Sequence, residues 1–263
     1  MQKPVYQNLF KPLNLNGLRL KNRITMAPLY LGYAAEGGRI SRLLLHHYNE
    51  MAKSGAAMIM VENASITARG SGSIRTIRCD HNRYLKGLET LADTIHKEKS
   101  LAGLQINHAG RFAHVSESVA PSVVPAFGKN PRALTKREIT TIQKQFAKAA
   151  LRVKKAKRVG YMVSLAAAVK KNVGIPVIAA GRISTPMKAE SILREKKADL
   201  IGLARMLWVD PDWPKKAIKG KDRSIIKCSP KCDACFQLVM KGKPAYCPRW
   251  GKERRTTYQG LFQ

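Results

Sequence analysis

The chain has 263 residues, with 48 Lys and Arg against 17 Asp and Glu, a formal net charge of +31, and 44% hydrophobic residues. That length suits one large domain or two small ones around a substantial core, and the apolar fraction excludes a disordered basic tail. No run of 18 consecutive apolar residues occurs, which argues against a membrane-spanning helix. The opening Met1-Gln2-Lys3-Pro4-Val5-Tyr6 lacks the apolar core of a secretory signal, so a cytoplasmic protein is expected.

Short apolar runs alternate with longer amphipathic segments. Residues 23–28 (RITMAP) predict a buried strand. Ser41 is placed to cap a helix that runs to Ser54, and Gly55 is its natural stop. Residues 57–62 predict the next strand, 82–98 a helix and 101–107 (LAGLQIN) a third strand. Thr135-Lys136-Arg137-Glu138 forms a capping box, and Ile139, Ile142, Phe146, Ala149 and Val153 then keep the helical period. A helix over 162–173 and a strand over 175–180 follow. Thr185-Pro186 opens a further helix in the favoured N-cap, N1 order. Residues 198–203 predict a strand and 212–218 a last short helix. Five strand–helix units of this kind imply a parallel sheet covered by helices, an α/β fold.

The positive charge is spread in short pairs such as Lys170-Lys171, Lys196-Lys197 and Lys215-Lys216, towards the ends of predicted helices where cations favour the dipole. No basic stripe interleaved with aromatics is present, so a solvated surface is expected rather than a nucleic-acid site. Four of the five cysteines lie in the last 36 residues, with the spacing C-x3-C-x2-C-x11-C at Cys228, Cys232, Cys235 and Cys247. Four thiolates hold either zinc or an iron–sulfur cluster; two separated pairs are usual for zinc, whereas three close ligands and a remote one suit a cubane. Cys79 stands alone and reads as a structural thiol. His46 and His47, adjacent on a helix, point in different directions and make a poor metal pair.

Several segments together resemble the old yellow enzyme (NADH:flavin oxidoreductase) family. They are Leu9-Phe10-Lys11-Pro12-Leu13, residues 21–29 (KNRITMAPL), residues 104–111 (LQINHAGR), residues 177–183 (VIAAGRI), residues 199–205 (DLIGLAR) and Asp210-Pro211-Asp212-Trp213. They occur in the family's order over nearly the whole chain, and the cysteine group resembles that of its iron–sulfur, 2,4-dienoyl-CoA reductase-like branch. The resemblance implies a TIM (β/α)8 barrel with FMN at the C-terminal ends of its strands and a [4Fe–4S] cluster on the four cysteines. It also implies NAD(P)H as co-substrate and reduction of an activated alkene or similar small-molecule acceptor. The five units match the family's strands 1, 2, 3, 7 and 8. An internal deletion near 158–161 would remove three βα units, about 90 residues. With them go the family's substrate-gripping His pair and a flavin-facing Arg.

Carried over residue by residue, the resemblance puts Pro28, Leu29 and Tyr30 beside the flavin, with Tyr30 where Cys or Thr is common. Asn63 joins them, and Gln105 meets the pyrimidine edge. Gly181, Arg182, Ala204 and Arg205 fall at the phosphate, Ala204 standing where the family usually has Gly. His108 and Arg111 are left as candidates for holding an anionic substrate or ordering the loop. Residues 1–220 then form the FMN-binding barrel domain and 221–263 the cluster segment, with a homo-oligomer or an electron-transfer partner as further company. The alternative from another class is a non-catalytic basic protein whose four cysteines hold zinc or a cluster and whose surface binds nucleic acid.

Overall fold

The computed structural model describes residues 5–15, 17–126, 128, 130–155, 175–229 and 231–262. The expected helix over 162–173, the Lys170-Lys171 pair and the junction at 158–161 lie outside them.

A short helix α1 (Gln7–Phe10) and an antiparallel hairpin, β1 (Leu13–Leu15) and β2 (Leu18–Leu20), precede the first barrel strand, β3 (Ile24–Met26). Then come α2 (Arg42–Lys53), β4 (Met58–Ser65), β5 (Ile77–Arg78), α3 (Leu85–Lys97) and β6 (Leu101–Asn107). The pair β7 (Val119–Ala120) and β8 (Arg132–Ala133) leads into α4 (Lys136–Lys155). The second half holds β9 (Ile178–Ala180), α5 (Pro186–Arg194), β10 (Leu200–Leu203), α6 (Arg205–Val209) and α7 (Trp213–Ile218). It closes with α8 (Ala234–Met240) and α9 (Lys252–Gly260).

The expected caps are present. The Ser41 side chain accepts from the Leu44 N–H, the Thr185 side chain from the Lys188 N–H, and Pro186 begins its helix. In the capping box the Glu138 N–H donates to Thr135 Oγ1 and the Thr135 N–H to Glu138 Oε2. Strand bounds differ from the sequence expectation at both ends. β4 runs on to Ser65, three residues past the apolar run, because β6 stays paired with it as far as Ser65↔Asn107. β9 begins only at Ile178, since its pairing with β10 starts at Leu200↔Ile178.

The central sheet is parallel, in the order β9-β10-β3-β4-β6, with β5 adding at the far end of β4. β4 is buried on both faces, as a strand between a barrel interior and a helix layer must be. Its outward Ile59 and Val61 join one core with Leu44, Tyr48 and Met51 of α2 and Leu88, Leu91, Ala92 and Ile95 of α3. Its inward Met58 and Met60 meet Leu20 and Leu200, and Leu13 and Leu15 of the hairpin close that end of the sheet. Among the described residues no strand pairs with the outer edges of β6 or β9. Among the described residues the curved sheet is an incomplete barrel, its five strands standing where strands 1–3 and 7–8 of a (β/α)8 barrel would.

Candidate active site

Because these strands are parallel, the loops that follow them gather at one end of the sheet, where barrel sites form. A cavity of about 950 Å3 lies there. Its walls come from residues 29–32 after β3, 72–75 after β4, 111–114 after β6, Arg205 after β10, and the C-terminal segment from Cys232 to Lys243. The lining is largely apolar. Its charged members are Arg75, Arg111, Arg205 and Lys243 against one acid, Asp233.

Gly202 pairs with Ala180 across β9 and β10, so Gly181-Arg182 and Ala204-Arg205 leave the sheet side by side. A Cβ at Gly202 would lie 3.0 Å from Ala180 Cβ and 3.1 Å from Ile178 Cγ2, so only glycine lets these strands approach as they do. Gly181 has φ +112 and Arg182 φ +50, two consecutive left-handed residues on exposed backbone. Nothing lies within 4 Å of where a Cβ on Gly181 would point. Open backbone at Gly181, with two arginines following the ends of the neighbouring strands, is a donor set whose chemistry fits a phosphate. Both backbone strain and arginine placement favour this end of the site for an anion.

After the neighbouring strand β3, Tyr30 hydrogen-bonds the Ser73 hydroxyl, and burial pushes its phenol pKa up. Behind it, at the heart of β4, sits the fully buried Glu62. Its Oε2 accepts the Leu31 N–H at 3.2 Å, while Oε1 has no partner among the described residues. Burial pushes this carboxyl up to about 8, the Leu31 N–H being the only opposing influence. Glu62 thus holds the residue 29–32 loop against β4, and its burial favours the neutral acid.

Asn63 lies opposite Gln105 in the β4–β6 register, just past a bulge at Val61/Asn63. Gln105 is exposed and Asn63 half-buried, and neither lines the cavity. His108 Nδ1 accepts the Gly110 N–H at 3.1 Å. A Cβ on Gly70 would fall 2.5 Å from its ring, and burial pushes the imidazole pKa down. The ring is held within its own loop by these contacts. Arg111 does face the cavity, stacked 4.9 Å from the Phe112 ring centre.

The cysteine segment is docked on the barrel by an aromatic and ionic cluster. Trp250 meets Trp208 at 5.0 Å and Tyr258 at 4.7 Å between ring centres. Arg254 lies 3.9 Å over Trp250 and pairs with Glu50 at 2.7 Å, and the Tyr258 hydroxyl donates to the same carboxylate. The Cys228 N–H donates to Met206 Sδ. This seats the cysteine segment against the barrel. Burial raises the pKa of Cys235 and Cys247, and charge on Cys228 and Cys232 raises both further. Such mutually opposed soft donors suit a metal centre, which would relieve their repulsion. Among the described residues no three His, Cys, Asp or Glu side chains are drawn into a metal-holding group. Cys79, by contrast, is buried and free, as expected of a structural thiol.

Of the residues singled out in the sequence, Leu29, Tyr30, Arg111, Arg205, Cys232 and Cys235 share the cavity wall. Pro28, Asn63, Gln105, His108, Gly181, Arg182, Ala204, Cys228 and Cys247 do not line it. Sequence reading missed Arg75, Phe112, Phe236 and Glu62; of these only Glu62, a charge inside an apolar run, carried a signal.

The model of the NADH:flavin oxidoreductase / NADH oxidase family matches residues 8–163 and 156–224, two stretches that meet around the expected junction. Among curated proteins the chain is 28% identical to a metal reductase of Desulforamulus reducens over 354 residues, covering 91% of this chain and 53% of the relative. It is 26% identical to an NADH oxidase of Thermoanaerobacter brockii, covering 85% of this chain and 52% of the relative. The chain spans about half the length of these curated relatives. The 354-residue alignment exceeds the 263 residues of this chain, so the relative carries residues within the aligned span that have no counterpart here. Among solved structures it superposes on a 2-naphthoyl-CoA reductase complex with a TM-score of 0.85 and 17% identity, covering 98% of this chain and 58% of that one. Morphinone reductase in complex with tetrahydroNAD gives 0.71 at 18% identity, with 85% and 93% covered. At such identities the likeness is one of fold. Among the described residues no helix is long and apolar enough to cross a membrane.

Proposed function

The chain belongs to the NADH:flavin oxidoreductase / NADH oxidase family, and on that premise we propose that it binds FMN and passes reducing equivalents from NAD(P)H to a small-molecule acceptor such as an activated alkene. The observation that carries this reading is the cavity itself, lined by Leu29, Tyr30 and Arg205, with the left-handed Gly181-Arg182 turn following the strand paired with the one before Arg205. Bound FMN would supply the exchange of a hydride pair for single electrons. The chain would hold it: Arg205, Arg182 and the Gly181 and Ala204 backbone at the phosphate, Pro28, Leu29 and Tyr30 along the ring, and Asn63 and Gln105 at the polar edge. Glu62 fixes the loop that forms the ring-side wall, and Arg111 offers a cation to the acceptor.

In the same reading Cys228, Cys232, Cys235 and Cys247 would hold a [4Fe–4S] cluster, which would supply one-electron exchange, with an electron-transfer partner or a second copy as company. Residues 1–220 act as the flavin domain and 221–263 as the cluster segment. The three missing barrel units leave this chain without the family's His pair, so its ene-reductase turnover with cyclohexenone-type acceptors is expected to be low or absent. Iron and acid-labile sulfide counted in anaerobically purified protein test the cluster. Four of each per chain is the expected result; stoichiometric zinc without iron would overturn it.

A further inference from the structure

A buried imidazole plays no part in the site described above. His47 of α2 is fully buried, and its Nε2 has no partner among the described residues. Its Nδ1 lies 3.3 Å from the Tyr258 hydroxyl of α9. That hydroxyl donates to Glu50 Oε2 at 2.6 Å, so towards His47 it accepts, and Nδ1 carries the ring proton. Nε2 is left as a bare lone pair. The ring makes edge contacts with Tyr33 and Tyr48, their centres 5.3 and 4.8 Å away.

The ionisable groups that face it are His46, Tyr48 and Glu50 on its own helix, Tyr33 from the loop after β3, and Arg254 and Tyr258 on α9. Glu62 of β4 stands beyond Tyr48, whose hydroxyl accepts the Glu62 N–H. Glu50 is already engaged by Arg254 and Tyr258, and burial favours the neutral acid at Glu62. A second cation here therefore has no carboxylate of its own. The same cluster seats α9. Tyr258 is buried against His46, His47 and Trp250, and Arg254 lies over the Trp250 ring. Just past the helix, Phe262 lies 4.7 Å from the guanidinium of Arg75, a residue of the cavity wall.

We propose that α9 is an acid-released latch on the rim of the cavity: with His47 neutral, Tyr258 seats the helix on α2, and a proton gained at Nε2 unseats it and carries Phe262 off Arg75. The charged ring would point a second N–H into a site without an acceptor, beside Arg254. Burial lowers the His47 pKa, and Arg254 and His46 lower it further. Once α9 has left, water reaches the ring, which regains its ordinary value of 6.5. The open state then takes up a proton that the seated state refuses. Below about 6.5 each pH unit favours opening about tenfold, and above it pH has no effect. The latch works in this way whatever the cavity binds.

Amide hydrogen exchange of the full chain tests this, with rates converted to protection factors so that the intrinsic pH dependence of exchange drops out. Protection in residues 252–262 is expected to fall about tenfold from about pH 6 to about pH 5 and to stay level between about pH 7 and about pH 8. Strand β4 should show no such fall. His47→Gln keeps an amide for Tyr258 but cannot charge, so the fall should vanish, with β4 protection in the same sample reporting a folded barrel. His46→Gln should keep the fall. If His47→Gln does not fold, the wild-type and His46→Gln profiles decide alone. A level wild-type profile, a fall shared equally by β4, a fall that persists in His47→Gln or one lost in His46→Gln would overturn the proposal.

Discussion

Glu62 makes stability depend on pH in a direction opposite to that of an ordinary paired carboxylate. It is fully buried, and among the described residues the carboxyl accepts one hydrogen bond, from the Leu31 N–H at Oε2. Its pKa rises from 4.5 to about 8 on folding. The folded state therefore binds a proton that the unfolded chain gives up between these values, and stability falls as the pH climbs. The contribution is complete below 4.5, declines through the interval and is exhausted above the folded value near 8. At about 1.4 kcal/mol per unit, the whole displacement amounts to on the order of 5 kcal/mol. Glu62→Gln keeps the volume and an oxygen for the Leu31 N–H, but it cannot ionise. Urea unfolding across this interval should show wild-type stability falling with pH relative to the Gln variant. His47, whose pKa burial lowers, acts in the other sense in both proteins and cancels in the difference. Parallel curves for the two proteins would show that the carboxyl is charged or solvated in the folded state, and the account of the loop it holds would fail.

Arg205→Ala removes a charge-assisted contact from the proposed phosphate site, about 1.5–3 kcal/mol, and FMN titration should show a tenfold to hundredfold weaker complex; an unchanged affinity would place the phosphate elsewhere. Gly202→Val drives side-chain atoms into Ala180, Ile178 and Ala27, all within 3.4 Å of the first added carbon. Overpacking of this kind costs about 1–3 kcal/mol, read as a lower urea midpoint, and an unaffected midpoint would contradict the β9–β10 spacing. Burial pushes the Cys79 thiol up to about 12, so it should resist a thiol-specific disulfide reagent in native protein and react only on unfolding.

Much of this fold is legible residue by residue. Ser41, Thr135 with Glu138, and Thr185-Pro186 announce their helices because capping is a local matter, settled within one turn. The hairpin could have been found as well, since Leu13, Leu15, Leu18 and Leu20 alternate around Asn16-Gly17. The extra residues of β4 could not, because Asn63 and Ser65 are polar and it is pairing with β6 and β5 that keeps this end extended. At the site, the arginine and the cysteines carry their chemistry in their identity. What sequence leaves dark is which of them meet. Gln105 and Arg205 read as equal members of one pocket, yet Arg205, past the end of its strand, lines the cavity and Gln105, still within β6, does not. The cation–aromatic cluster of Glu50, Trp208, Trp250, Arg254 and Tyr258 joins residues some two hundred positions apart, and no spacing rule foretells it.

The central claim is that this shortened barrel still builds a flavin site. Titrating flavin-free protein with FMN, followed by the quenching of flavin fluorescence, addresses it without relying on turnover or on the cysteine segment. One FMN bound per chain, with riboflavin held more weakly for want of the phosphate, is the predicted result. Failure to bind FMN, or equal affinity for FMN and riboflavin, would contradict a phosphate site at Gly181, Arg182 and Arg205 and the function built on it.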